Sequence, residues 1–594
     1  MNKKIDISRN NLDRSLSPYL RQHEKNPIHW QEWSQEILDI AQQHKKKIFV
    51  SIGYSTCHWC HVMAQEAFSN QQIAKYLNQH FLSIKVDREQ RPDIDQYFMT
   101  FIQKTTGSGG WPLNVFLSPD VQPIFACTYI PMIPRYGMPG MLDLLKSINN
   151  VKKGVSFTVT SDSEADKESS LASLIQSIVS SYDSIYGGFG FGNKFPSPST
   201  LLFLLSYYER YSDEKIKNVI EHTLSMMMNR GLHDHLQGGF FRYCIDRNWT
   251  IPHFEKMLYD QAMLLWTYSW AYKILKHQAY RSVINGIVKC LKDTFLEKGL
   301  YVAAHDADTE HIEGATYLWD FEELKDLLHS EELSYLMKHY EISEKGNFEK
   351  SNHLIKKTSK EKGMVEEKLM HIRNKRIQPF TDKKVITSWN ALTGIGYVMA
   401  WRSTDEKSFL NHAENIFKHL IQKHLTDDIV VHSSLDGKLQ RQGYLEDAAS
   451  LLLLATFLYE EKKIEKEILI VLNEKVNQFH DGTWFDSNAT DFLKIPAHDF
   501  DHPIPSSLSL VNLALVRYMI LSKKEYHQIK YRQHAGNEIY NLYAFITQGH
   551  WHIIHNTDLL PWNKVSSNTI QVKDSIYSDC FEGSCFSRTS TSNR

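Results

Sequence analysis

Cysteine is scarce in this chain, with seven residues among 594. So low and odd a number excludes a disulfide-built scaffold and points to a reducing, cytosolic compartment. An excess of one charge is missing too. Lys and Arg total 67 against 69 Asp and Glu, a net charge of −2, so no global field selects nucleic acid or an anionic membrane. The clusters Lys45–Lys47 and Lys462-Lys463 read as solvated helix ends. No apolar run reaches the roughly 18 residues of a membrane span. The longest, ASLLLLATFLY from Ala449 to Tyr459, fits a buried helix. The opening MNKKIDISRNNLDRSLSPYL lacks the apolar stretch of a secretory signal. No repeat of fixed length appears, which argues against a regular solenoid.

Large apolar side chains are plentiful: 29 Tyr, 29 Phe and 13 Trp. They suffice for more than one core, as a chain of this length requires. Residues 1–160 have an α/β texture. WQEWSQEILDIAQQ, from Trp30, places apolar residues three and four apart on one helix face. Ile48, Phe49, Val50 and Ile52 then read as a buried strand, residues 60–79 as a helix, FLSIKV as a second strand and 94–103 as a helix. A strand at 113–117 and its hairpin partner at 124–130 complete this part. Residues 146–172, polar and Ser-rich, read as a linker. From 173 to about 570 helical periodicity dominates, with expected helices at 173–183, 199–210, 214–230, 256–276, 280–297, 320–341, 386–402, 407–424, 444–461, 463–478 and 505–522. So many helices joined by Gly- and aromatic-rich loops suggest helical hairpins arranged in a ring. Residues 571–594 read as a tail carrying a C-x4-C pair, Cys580 and Cys585.

The segment YSTCHWCHVM places Cys57 and Cys60 directly after a strand, at the start of a helix. Unpaired N–H groups and the helix dipole at that position stabilise a thiolate at Cys57. His58 and His61 add positive charge when protonated. A C-x-x-C dithiol in this setting is the thioredoxin arrangement, and Trp111-Pro112 before the next strand suits the cis-proline loop of that fold. Two other readings stand beside it. Cys57, Cys60 and one of the two histidines offer three zinc ligands, with Cys580 and Cys585 as a distant source of more. The pair is otherwise a purely structural remnant. The redox reading needs no cofactor. Cys127, Cys244 and Cys290 read as small apolar fillers.

SPYLRQHEKNPIHWQEW, STCHWCHVMAQEAF, VDREQRPDID, GGWPLNVFLSPD and TYIP, followed by KFPSP, DHLQGGFFRY, PHFEKMLYDQAMLL, GATYLW and TSWNAL, resemble in order the DUF255 family of spermatogenesis-associated protein 20-like thioredoxin-domain proteins. The resemblance implies a thioredoxin-like domain fused to an (α/α)6 barrel of the type seen in N-acylglucosamine 2-epimerases and six-hairpin glycosidases; the number of hairpins comes from it alone. It extends to the C-x4-C pair. The chain departs from the family at Cys127, where glycine is usual, at GNKFP, which lacks an Ala-Pro before Lys194, and over about 490–560, where the match is weak.

In such a barrel the loops at one end line a funnel. The candidates there are His233, Asp234, His235, His253, Glu255, Asp260, Asp306, Asp308, Glu446 and Asp447. Glycoside hydrolysis needs two carboxyls flanking one bond, whereas epimerisation needs an acid/base pair; both residue types are present. Trp249, Trp319 and Trp389 are candidates for stacking on sugar rings. Bland alternatives exist for several of these residues: Asp234 and Asp447 as helix caps, Glu255 with Lys256 as an ion pair, and Asp306 and Asp308 as a weak D-x-D cation site. Three functions follow. One is thiol–disulfide exchange with a protein disulfide or redox partner. Another is a carbohydrate-active barrel carrying a regulatory thioredoxin domain. The third is a non-catalytic scaffold.

Overall fold

Five β-strands alternate with helices over the first 130 residues of the computed structural model, which describes residues 5–135, 137–159, 171–358, 362–501, 503–523, 552–556, 559–567, 569–573, 578–581 and 584–587. Two compact units form. The first takes residues 1–161 together with two segments from much later in the chain, Asp306–Glu313 and Phe485–Pro496; the second takes the remainder.

The first unit begins with helix α1 (Pro18–Gln22), capped by Ser17, whose hydroxyl accepts from the Leu20 N–H. Strand β1 (Gln31–Glu32), helix α2 (Gln35–Gln43) and strand β2 (Lys47–Gly53) follow. Helix α3 (His58–Gln65) carries the cysteine motif. The expected helix over 60–79 is two helices. Asn70 caps α4 (Gln71–His80) by accepting from the N–H groups of Gln72 and Ile73, so an apolar periodicity that runs on is cut by a capping side chain. Then come β3 (Phe81–Asp87), α5 (Pro92–Thr106), β4 (Leu113–Leu117), β5 (Pro123–Cys127) and α6 (Met141–Asn149).

The sheet order is β1-β3-β2-β4-β5. β2 lies parallel to β3 and antiparallel to β4, with Ile48 opposite Leu82 and Leu117. Central strands covered on both faces read as continuous apolar runs, and Ile48, Phe49, Val50 and Ile52 are all fully buried. The expected linker is less free than its composition suggests: α6 extends to Asn149, and Phe157 packs beside Tyr97 and Phe101. Residues 160–170 lie outside the described residues. Phe492, from the second late segment, sits between Trp33, Tyr97 and Phe98, and Arg91 pairs with Asp491 at 2.9 Å.

The second unit is built from helical hairpins. Its helices are α7 (Leu171–Ser181), α8 (Pro198–Tyr211), α9 (Glu214–Asn229), α10 (Leu258–Leu275), α11 (Gln278–Cys290), α12 (Phe321–Leu327), α13 (Ser330–His339), α14 (Met364–Arg373), α15 (Thr387–Thr404), α16 (Lys407–His424), α17 (Leu445–Glu460), α18 (Lys466–Asn477) and α19 (Ser507–Tyr518). α10, α15 and α17 are buried all round. α11 and α16 bury one face only, through Val283, Ile284 and Ile287 and through Phe409, Ala413 and Phe417. The difference separates inner from outer members of a hairpin. Inner helices pack as neighbours in the series α8, α10, α15, α17, α19, the construction of an (α/α) barrel. The expected helix over 320–341 breaks at Leu328-His329, and α14 has no counterpart in the sequence reading. The span read as a tail, 571–594, contributes the strands Ser578–Phe581 and Ser584–Ser587, which join His552–Asn556 and Thr569–Lys573 in a four-stranded sheet in which Cys580 and Cys585 are register partners.

Candidate active site

β2 ends at Gly53, and four residues later Cys57 caps α3: its sulfur accepts from the Cys60 N–H at 3.3 Å. Cys57 and Cys60 are joined as a disulfide with their Cα atoms 5.2 Å apart. They are 4% and 2% exposed, while Trp59 between them is 42% exposed and rests against Tyr129. The Trp111–Pro112 peptide is cis, as the sequence leads one to expect. Because the β2–β4 ladder runs to Ile52 opposite Leu113, Pro112 stands at the end of β2 from which the cysteine segment departs. Tyr54 meets Trp111 edge to face at 6.0 Å, and Trp111 donates its indole N–H to Asp95 at 2.7 Å.

Asp306 and Asp308, assigned to the barrel funnel from sequence, belong instead to the dithiol unit. Asp308 Oδ1 lies 2.9 Å from His58 Nδ1, and Asp306 Oδ2 lies 3.0 Å from His61 Nε2. Glu313 approaches the other nitrogen of His58 at 3.9 Å, and His311 meets Gln65 at 3.0 Å. His58, His61 and Gln65 share one face of α3, and that face docks on the segment Asp306–Glu313. The segment is a tight hairpin pairing Asp308 with Glu313 and Thr309 with Ile312. Its central residues Glu310 and His311 both have positive φ, 51° and 68°. Both central φ angles have the sign required by the turn that suits hairpin twist, here adopted without glycine. Burial pulls both histidines toward the neutral form. For His58 the Asp308 hydrogen bond and the charges of Glu313, Asp308 and Asp306 prevail; for His61 the Asp306 hydrogen bond and the charges of Asp306 and Asp308 prevail. Both pKa values are raised above 6.5.

Behind the dithiol lies a buried lysine. Lys85 donates to Ser51 Oγ at 3.0 Å and sits 5.0, 5.1 and 4.5 Å from the ring centres of Tyr19, Trp30 and Phe68. Desolvation holds its pKa well below 10.5. Nothing in the sequence had marked Lys85 or Tyr19, although Tyr19 falls inside the quoted motif SPYL.

In the helical unit the polar candidates divide into two groups. Asp234 is fully engaged: Arg373 donates to both its oxygens at 3.0 and 2.8 Å, Lys256 donates at 2.7 Å, and the N–H groups of Leu236 and Gln237 close a turn on it. It is therefore a structural hub and not a helix cap. His233 and His235 face each other through Nδ1 at 3.2 Å, and burial holds both well below 6.5. Glu255 pairs with Arg242 at 3.1 Å, while Lys256 pairs with Asp234 at 2.7 Å. Trp249 and Trp319 are fully buried, which removes them as sugar platforms, and Trp389 is 5% exposed against Tyr259.

The second group gathers where inner helices begin. Asp260 lies in the first turn of α10, beside Arg242 and Tyr259, and His253 packs on Tyr243 just before it. Short ladders tie these helix starts together: Lys256-Met257 pairs with Ala304-His305, which pairs with Thr381-Asp382, while Val385-Ile386 pairs with Ser433-Ser434. The first ladder is also why α10 starts at Leu258 and not at 256. At the start of α17, Asp447 Oδ2 lies 2.7 Å from His432 Nδ1 and its Oδ1 accepts from the Ser388 N–H at 3.1 Å. Asp447 sits within the first turn of α17 and does not cap it. Ligand atoms of His432, Glu446 and Asp447 all fall within 4.8 Å of one another. His432 has no sequence signal, since a histidine in VVHSS looks like any strand residue.

These observations define a thioredoxin-like dithiol unit and a helical-hairpin unit in one chain. Residues 9–170 match the family profile Thioredox_DsbH, described as "Protein of unknown function, DUF255". An uncharacterized protein of Caenorhabditis elegans is 34% identical over 88% of this chain and 82% of its own length. Spermatogenesis-associated protein 20 of Homo sapiens is 35% identical over 73% of this chain, and the match spans 63% of the human protein. The chain belongs to this DUF255, spermatogenesis-associated protein 20-like family. Among solved structures, one titled as a D-mannose isomerase aligns over 66% of this chain and 89% of its own with 13% identity and a TM-score of 0.42. Among the described residues no helix is long and apolar enough to cross a membrane.

Proposed function

We propose that the protein is a thiol–disulfide oxidoreductase acting on a protein disulfide or redox partner in a reducing, cytosolic compartment. In the reduced enzyme the Cys57 thiolate attacks one sulfur of the substrate disulfide. A Cys57–substrate disulfide forms, and the other substrate sulfur leaves as a thiolate that takes up a proton. Cys60, as thiolate, then attacks Cys57 Sγ. The Cys57–Cys60 bond forms, the bond to substrate breaks, and its electron pair departs on the second substrate sulfur. The enzyme is oxidised by two electrons and the substrate is reduced by two. The observation that carries this reading is the placement of Cys57 as the cap of α3, where its sulfur already accepts a helix N–H. Pro112 would shape the groove, and His58 and His61 would tune the thiolate. Insulin reduction with a glutathione-coupled assay tests it: wild type should turn over and Cys57→Ser should not. Equal rates would defeat the reading.

A second reading rests on His432, Glu446 and Asp447. A histidine oriented by one carboxylate beside another is the equipment of acid–base chemistry, and the start of inner helices is where a barrel would hold a carbohydrate. The signature would be a rise in melting temperature with a sugar that is lost in His432→Gln. If neither assay responds while a protein partner binds stably, the scaffold reading takes over.

A further inference from the structure

We propose that Tyr19 donates a hydrogen bond to the Cys60 sulfur when the Cys57–Cys60 bond opens, and so stabilises the reduced dithiol. The proposal rests on the oxidoreductase reading and gives the motif SPYL a role in it.

Gly53 shows how close the two groups are. A Cβ at Gly53 would lie 2.3 Å from Tyr19 Oη and 2.7 Å from Cys60 Sγ, so the oxygen and the sulfur are nearer to each other than the sum of those distances. Both approach the backbone at the end of β2 from opposite segments, and only a residue without a side chain lets them do so. Tyr19 is 1% exposed, and among the described residues its hydroxyl has no hydrogen-bond partner. A buried hydroxyl left without a partner is costly, on the order of 1–3 kcal/mol, and native interiors rarely tolerate one without a reason. In the oxidised form Cys60 Sγ is bonded to Cys57 and is a weak acceptor. Reduction turns it into a thiol or thiolate, a far better acceptor, beside a donor already waiting.

The surroundings keep the donor in place and protonated. Ser17 caps the helix that carries Tyr19 and also donates to Asp87 Oδ2 at 2.6 Å, which ties α1 to the end of β3. The His23 ring meets Tyr19 edge to face at 5.1 Å, and Lys85 lies over the Tyr19 ring. Burial and the nearby Asp87 charge push the phenol well above 10, so it donates its proton in a hydrogen bond and does not surrender it. No electrons pass through Tyr19. The two-electron step remains the exchange between Cys57, Cys60 and the substrate sulfurs.

The test compares full-length wild type with Tyr19→Phe in glutathione redox buffers, with thiol alkylation to count the dithiol. Removing the donor should favour the disulfide about tenfold, a potential lower by about 30 mV for a two-electron couple. Alkylation of Cys57 should proceed at an unchanged rate, and resolution of a trapped Cys57 mixed disulfide should slow. Melting of the oxidised form should not fall, because the lost hydroxyl bonds nothing there; a purely structural tyrosine would shift melting and leave the potential alone. A folded Tyr19→Phe protein with the wild-type potential overturns the proposal. If that variant does not fold, 3-fluorotyrosine at position 19, a stronger donor of nearly the same shape, must raise the potential, and an unmoved or lowered value overturns it. Absence of any reversible couple in wild type would instead refute the oxidoreductase reading beneath it.

Discussion

Asp308→Asn is the most informative single perturbation of the dithiol's surroundings. The carboxylate lies 2.9 Å from His58 Nδ1, with side-chain exposures of 8% and 21%. A hydrogen bond between ionised partners this sheltered contributes about 1.5–3 kcal/mol, and it loses its charge–charge attraction when the imidazole becomes neutral. His58 has a folded pKa raised above 6.5. The stabilisation is therefore complete below the unfolded value of about 6.5 and is lost as pH rises through the higher folded value. A double-mutant cycle of His58→Gln with Asp308→Asn isolates the pair. Hydrogen exchange of the α3 amides, corrected for intrinsic rates, reports it locally, which a global melt of a two-unit chain would not. The expected coupling is about 1.5–3 kcal/mol at pH 6 and smaller at pH 9, as the imidazolium gives up its proton. Coupling that is absent at pH 6, or the same at both pH values, would refute the argument.

Asp234→Ala leaves the Arg373 and Lys256 cations buried without their carboxylate; urea unfolding followed by circular dichroism should lose about 3–5 kcal/mol, and a loss under 1 kcal/mol would contradict the hub. Lys85→Met replaces a buried amine whose folded pKa is depressed. Between that value and about 10.5 the unfolded chain binds the extra proton, so wild-type stability gains with rising pH across this window. The variant should be as stable as wild type or more so at pH 7 and should lack that slope; destabilisation at pH 7 would show that the aromatic cage favours the ammonium. His432→Gln should leave the dithiol potential unchanged while removing any thermal response to sugars, and loss of both would argue against separate roles for the two units.

The dithiol was legible because strand, C-x-x-C and helix are contiguous: Ile48–Ile52 supply a buried strand, and Cys57 stands where a cap belongs. The inner helices of the barrel were legible from long apolar runs such as Leu451–Leu454. What escaped was long-range. Asp306 and Asp308 stand 245 and 250 residues from His61 and His58, and no local pattern distinguishes DADTEHIE as a partner of the dithiol from a loop of the barrel. Asp234 stands out in the sequence, but its role depends on Arg373, 139 residues away. Tyr19 and Lys85 are invisible for a related reason: a tyrosine in a short helix and a lysine in a strand acquire meaning only from groups on other segments, the Cys60 sulfur of α3 for one and the rings of Tyr19, Trp30 and Phe68 for the other. The break at Asn70 is hidden because apolar periodicity continues on both sides of a cap.

The central claim is that Cys57 and Cys60 form a working redox couple. Its most direct test is the reduction potential of the pair, by glutathione titration with thiol alkylation, beside a Cys57→Ser control. A reversible two-electron couple in the range of known oxidoreductases, about −120 to −270 mV, is the predicted result. A pair that shows no reversible couple, or thiols shielded by bound zinc, would contradict the account and move the chemistry to the helical unit.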